Sequence, residues 1–173
     1  MVIYAAPLQG YTTALWRRAH AGLCGGIDAY FTPFVRVESG KPAARALRDA
    51  AEDRTAIPQV IFRDIAELRT LCDSLADAGY KAIDLNMGCP FVPQVRHGRG
   101  AAVIADIPLL ESVAKDISDR QIRRNIFFDQ NAIGHRRPGA MACRNAGHKR
   151  YAAAPSVRAS AHSQDAIRRH SRH

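Results

Sequence analysis

Between residues 2 and 118, short apolar runs alternate with segments of helical period, and that alternation restricts the chain to a parallel α/β architecture. VIYAAPL (2–8) reads as a strand closed by Pro7 and Gly10, and TTALWRRAHAGL after it has helical spacing at Leu15, Trp16, Ala19 and Leu23. DAYFTPF (28–34) and IPQVIF (57–62) read as the second and third strands. The stretch DIAELRTLCDSLADAG then opens with a capping-box pattern, Asp64 to Glu67. It sets Ile65, Leu68, Leu71, Cys72 and Leu75 on one face before Gly79 stops it. KAIDLNM (81–87) is the fourth strand, and Asp106 with Pro108 begins a helix carrying Leu109, Leu110, Val113 and Ile117. These are four βα units, in a chain whose 173 residues fall short of the ~250 of an eight-fold barrel.

In barrels of this kind chemistry sits at the C-terminal ends of the strands, where Pro7–Leu8, Pro33–Phe34, Gln59 and Asn86–Cys89 fall. DLNMGCPFVPQVRHGRGAA (84–102) is the densest such stretch. Gly88 and Pro90 shape a tight turn around Cys89, and Gly98 and Gly100 permit close backbone approach to a ligand. Arg96 and Arg99 favour anions nearby. The competing reading of Cys89 is a buried structural thiol, and that of the arginines a solvated loop. Cys72, inside a helical apolar face, reads as a small core residue. The four cysteines lie far apart with no C-x-x-C spacing, which points to neither a zinc site nor a disulfide framework, and no metal is expected.

The net charge of +9 invites a nucleic-acid reading, but its distribution is lopsided. Residues 1–118 hold 13 Lys and Arg against 13 Asp and Glu, whereas residues 119–173 hold 12 against 3 and five of the seven histidines. The chain therefore divides at about 118 into an α/β part and a basic tail without period, which reads as irregular and disordered. No apolar run approaches the ~18 residues of a membrane span. MVIYAAPLQG has neither the basic head nor the cleavage site of a signal peptide, so a cytoplasmic protein is expected.

Taken together and in order, APLQGYT (6–12), TPFVRV (32–37), PQVIF (58–62) and DLNMGCPFVPQVRHGRGAA resemble the tRNA-dihydrouridine synthases, the string N-x-G-C-P with its glycine-rich loop above all. The resemblance covers roughly residues 2–118. It implies the N-terminal half of a TIM (β/α)8 barrel and, for a full-length monomeric parent, reduction of uridine in tRNA with FMN and NADPH. It also implies that the backbone around Ala6, Pro7 and Leu8 lies against the flavin, with Leu8 where most members have Met, and that Gln59 bonds the flavin ring. Asn86 would hold the uracil edge, Cys89 would be the general acid, and Arg96 and Arg99 would contact RNA phosphates. Pro33 stands where the family often has Glu. The chemistry needs a hydride at one carbon of the C5–C6 bond and a proton at the other. An ordinary thiol, pKa ~8.5, is mostly protonated near neutrality and can give that proton. A uridine in folded tRNA must be flipped out to reach such a pocket.

Beyond residue 118 the resemblance breaks. The family continues with a strand resembling FSIKMRLG, while this chain has FFDQNAIG at 127–134. Written as TTT TTC GAT CAA AAT GCG ATT GGG and read one base later, that segment spells F-S-I-K-M-R-L. A frameshift between about Asp119 and Phe127 is therefore expected, with an out-of-frame tail after it. A half-barrel leaves open sheet edges, so poor solubility, little FMN binding and no activity are expected of the chain as it stands. Two other readings fit the sequence: a different FMN-dependent barrel reductase or dehydrogenase, and a basic RNA-binding fragment without catalysis.

Overall fold

The computed structural model describes residues 3–120 and the backbone of 121–124 and 127–130. In chain order the elements are β1 (Tyr4–Ala5), α1 (Ala14–Leu23), β2 (Ala29–Tyr30), β3 (Val37–Glu38), β4 (Lys41–Pro42), α2 (Ala44–Ala51) and β5 (Gln59–Val60). They continue with α3 (Ile65–Asp77), β6 (Ala82–Leu85), α4 (Val92–Arg96), α5 (Ala101–Ala105), α6 (Ile107–Arg124) and β7 (Phe127–Gln130). Among the described residues the hairpin β3–β4 is antiparallel and the other ladders are parallel: β1 pairs β2, β5 pairs β6 and β6 pairs β7. Single parallel bridges, Phe31 to Ile57 and Val35 to Val60, tie the second strand segment to the third. The four expected strands are all present, but their regularly paired cores shrink to two to four residues. Pro7, Pro33 and Pro58 in these runs have no N–H to give a ladder.

α3 forms as its sequence requires. Asp64 Oδ1 accepts the Glu67 N–H at 2.8 Å, and Glu67 Oε2 reaches back to the Arg63 N–H at 3.2 Å. The helix ends where Gly79 takes φ +90° and the Tyr80 N–H bonds back to the Leu75 carbonyl. Leu68, Leu71, Cys72 and Leu75 are fully buried against Val60, Phe62, Ile83, Leu85 and Met87, with Val103 and Val113 closing the core from α5 and α6. Burial of each large side chain contributes ~1.5–3 kcal/mol. The Cys72 thiol, pushed up to about 12 by burial, is a core group as expected.

One expectation is corrected. On α1 the face named by spacing lies outside: Leu15 is 71% and Leu23 86% exposed, while Ala14 and Arg17 are the buried residues. The cause is a polar knot. Arg17 turns inward to Asp49 and Asp53, on and beside α2, and so rotates the apolar stripe toward solvent. Trp16 instead stacks on His20, with ring centroids 4.9 Å apart, and meets the Tyr30 ring edge-on. The described structure also runs a short way into the basic tail. Its first six residues continue α6 to Arg124, and residues 127–130 add β7 to the sheet. Arg120 is not part of a solvated charge run, because it bonds Asp116 on its own helix and Asp73 on α3 at 2.7 Å. The expected irregular tail from 131 onward lies outside the described residues.

Two of the ion pairs give the fold a pH dependence. For Asp53, burial raises the carboxyl pKa, but hydrogen bonds from Thr55 and Arg17 outweigh it and hold the group below 3.8. For Asp116, burial is likewise outweighed by hydrogen bonds from Arg120 and Arg69. A carboxylate with a lowered native pKa adds stability that is full above its unfolded value and lost as pH falls through the native one. The melting temperature should therefore hold from neutrality to about pH 5 and drop below about pH 4, as followed by circular dichroism.

Candidate active site

Gln59 on β5 and Asp84 on β6 are register partners, so both side chains leave the sheet on one face, and Asn86, two residues on, shares it. Gln59 is 4% exposed and Asp84 fully buried. Gln59 Nε2 donates to Asp84 Oδ2 at 2.5 Å, Asn86 Nδ2 donates to Gln59 Oε1 at 2.9 Å, and Asn86 Oδ1 accepts the Cys89 N–H at 3.1 Å. The direction of this chain is set at the cysteine end. A backbone N–H can only donate, so Asn86 must offer Oδ1 to it, Nδ2 must then face Gln59, and Gln59 must turn its own NH2 to Asp84. The Gln59 N–H is held by Thr32 Oγ1 at 3.2 Å, beside Pro33.

Cys89 is a half-buried free thiol in the turn after β6. Its carbonyl accepts the Ala101 N–H at 3.0 Å. Gly100, at φ +60°, comes so close that a Cβ there would stand 2.6 Å from that carbonyl oxygen and 3.0 Å from the Cys89 Cβ. The glycine that reads as an approach point for a ligand is thus filled by Cys89 itself.

Arg99 lies away from solvent. Its guanidinium faces inward, with Nη2 2.7 Å from Glu67 Oε1 and Nε 3.2 Å from Glu67 Oε2, and only 9% of the residue is exposed. It pins the loop to α3 and is not turned toward a phosphate in solvent. Arg96, at the end of α4, is exposed. Ala6, Pro7 and Leu8 follow β1 at the same end of the parallel strands, where Thr12 closes the turn by accepting the Leu8 N–H at 2.9 Å. Leu8 itself is 58% exposed. The structure therefore joins Gln59, Asn86 and Cys89 directly and leaves Arg96 and Arg99 apart from them. Sequence reasoning missed Asp84 and Thr32; a lone carboxylate in the apolar run KAIDLNM was the available signal for the first. Among the described residues no group of three or more His, Cys, Asp or Glu is placed to hold a metal, and no helix is long and apolar enough to cross a membrane.

A parallel strand-and-helix unit with amides and a thiol at its strand ends defines the class, and comparison with known proteins supplies the family. The family model for dihydrouridine synthase (Dus) matches residues 4–121. "Probable tRNA-dihydrouridine synthase 2" of Bacillus subtilis is 31% identical over 105 residues, which cover 57% of this chain and 32% of that protein. "Probable tRNA-dihydrouridine synthase" proteins of Staphylococcus epidermidis and Staphylococcus aureus match with the same identity and coverage. No solved structure matches the chain. The chain belongs to the dihydrouridine synthase family, and it spans about a third of the length of the curated relatives it matches.

Proposed function

We propose that this chain is the N-terminal part of a tRNA-dihydrouridine synthase, an oxidoreductase that reduces a flipped-out uridine, and that its strands form the first half of a (β/α)8 barrel. The observation that carries the reading is the hydrogen-bonded series Gln59, Asn86, Cys89 at the ends of β5 and β6. Each amide keeps hydrogen-bonding capacity beyond that series: Gln59 has one more N–H and a second lone pair, and so has Asn86. That donor set suits the edge of a flavin ring at Gln59 and of a pyrimidine at Asn86. The backbone of Ala6, Pro7 and Leu8 offers a surface for the ring at the same strand ends.

FMN reduced by NADPH would supply the hydride. Cys89 would give its Sγ proton to the other carbon of the uridine C5–C6 bond, and the thiolate left behind would be reprotonated from water. Asn86 would orient the base, Arg96 would meet RNA phosphate, and Arg99 would order the loop from inside. The fit reaches only the ring end of the cofactor, because the Gly100 approach that could cradle a phosphate is occupied by the Cys89 carbonyl. We read the chain as it stands as a weak flavin binder without activity because it carries only the first four βα units, with a tail that is out of frame. β7 lies where the shifted frame would put its FSIK strand, which favours that reading.

The test is to purify the chain beside a version with the frame restored between codons 119 and 127, and to express both in cells whose tRNA lacks dihydrouridine. The restored protein should be yellow and return dihydrouridine to tRNA, and its Cys89→Ala variant should lose ~100-fold or more in rate. A colourless restored protein, or an undiminished Cys89→Ala enzyme, would overturn the reading.

A further inference from the structure

We infer that Cys89 is clamped at its backbone N–H and C=O by two buried acidic groups acting through separate arms, and that Asp84 and Arg99 are positioning residues for the thiol. The clamp is read from geometry alone; that the clamped thiol hands over a proton rests on the function proposed above. The first arm starts at Asp84, passes through the Gln59 and Asn86 amides and ends on the Cys89 N–H. The second starts at Glu67, passes through the Arg99 guanidinium and ends where Ala101 donates to the Cys89 carbonyl and Gly100 abuts it. Both backbone polar groups of one residue, its N–H and its C=O, are held by groups that reach back to the core: Asp84 is fully buried and Glu67 is 6% exposed.

The first arm has a polarity, and this makes its requirement narrow. Because every donor in it points toward Asp84, position 84 has only to accept. A carbonyl oxygen there serves as well as a carboxylate, whereas an apolar side chain of the same size leaves the Gln59 N–H without a partner and frees the amides to rotate. The second arm needs a planar cation that can take both Glu67 oxygens.

Three of the four cysteines, those among the described residues, make the test self-controlled. Cys24 is exposed and reports the reagent, Cys72 is buried and reports unfolding, and Cys89 is half-buried and reports the clamp. The full chain at sub-micromolar concentration is alkylated with iodoacetamide, and each site is timed by peptide mass spectrometry. Asp84→Leu and Arg99→Ala should each raise the Cys89 rate relative to Cys24 by about tenfold with Cys72 still protected. Asp84→Asn should stay within about twofold of the native ratio, since it keeps the accepting atom. An unchanged ratio in Asp84→Leu and Arg99→Ala overturns the clamp. So does Asp84→Asn behaving like Asp84→Leu, or Cys72 opening in step with Cys89 in all three variants, which would make these residues parts of the fold alone. None of these readings needs flavin or tRNA, so the clamp can fail while the proposed chemistry stands, and the reverse.

Discussion

Arg17→Ala should lower the free energy of unfolding by about 3–5 kcal/mol, seen as a lower urea midpoint at unchanged slope. Arg17 is 1% exposed. Its Nε meets Asp53 Oδ2 at 2.9 Å, its Nη1 meets Asp49 Oδ2 at 3.0 Å and the Thr12 carbonyl at 2.7 Å, and its Nη2 bonds the Asp49 carbonyl. One guanidinium thus joins α1, the turn before it and α2. Removing it leaves Asp53 buried with its charge uncompensated on that side, and breaking a buried pair from one end costs far more than the pair contributes. Arg17→Lys should fall between the two, because an ammonium keeps the charge and loses the fork. A variant in which Arg17, Asp49 and Asp53 are all replaced by apolar residues should recover part of the loss. If Arg17→Ala unfolds at the native midpoint, the knot does not hold α1 in place.

Gly100→Ala should cost ~3 kcal/mol and displace the Cys89 turn. Two independent penalties meet at this residue. Its backbone, at φ 60° and ψ −123°, is a region that side chains other than hydrogen avoid. The added carbon would also stand 2.6 Å from a carbonyl oxygen, which is backbone and has nowhere to turn. Gly79→Ala is the natural comparison: it too has positive φ, +90°, but nothing lies within 4 Å of the added atom. Its loss should be ~1 kcal/mol, so the difference in urea midpoint between the two variants isolates the contact with Cys89. Equal losses would mean that Gly100 is there for its dihedral angles and not for the thiol.

What the sequence revealed, and what it hid, divides by the range of the interactions. α3 was legible because its cap, its apolar period and its stop glycine all act within a few residues, and Leu68, Leu71, Cys72 and Leu75 are buried as the spacing requires. Gln59, Asn86 and Cys89 were marked by a family motif, and the structure adds the hydrogen bonds that bring them together. Arg17 was hidden because its partners lie 32 and 36 positions away, and spacing alone gives a helix a period without saying which side faces the protein. The inward pairing of Arg99 was hidden for the same reason, its partner Glu67 being 32 positions back in a segment legible only as a helix cap. Arg120 was hidden because charge counting treats it as one cation among many, whereas Asp73 and Asp116 make it part of the helix packing.

The pairing of Gln59 with Asp84 also counts residues for the sheet. A slip of β6 by one position against β5 would bring Leu85 opposite Gln59 and strand a buried amide among hydrocarbon, while turning Asp84 into the apolar layer beneath α3. Strands only two and four residues long have few ladder bonds with which to choose an alignment. The polar rungs that equip the strand ends for chemistry therefore double as a vernier, rejecting misaligned sheets before any substrate arrives.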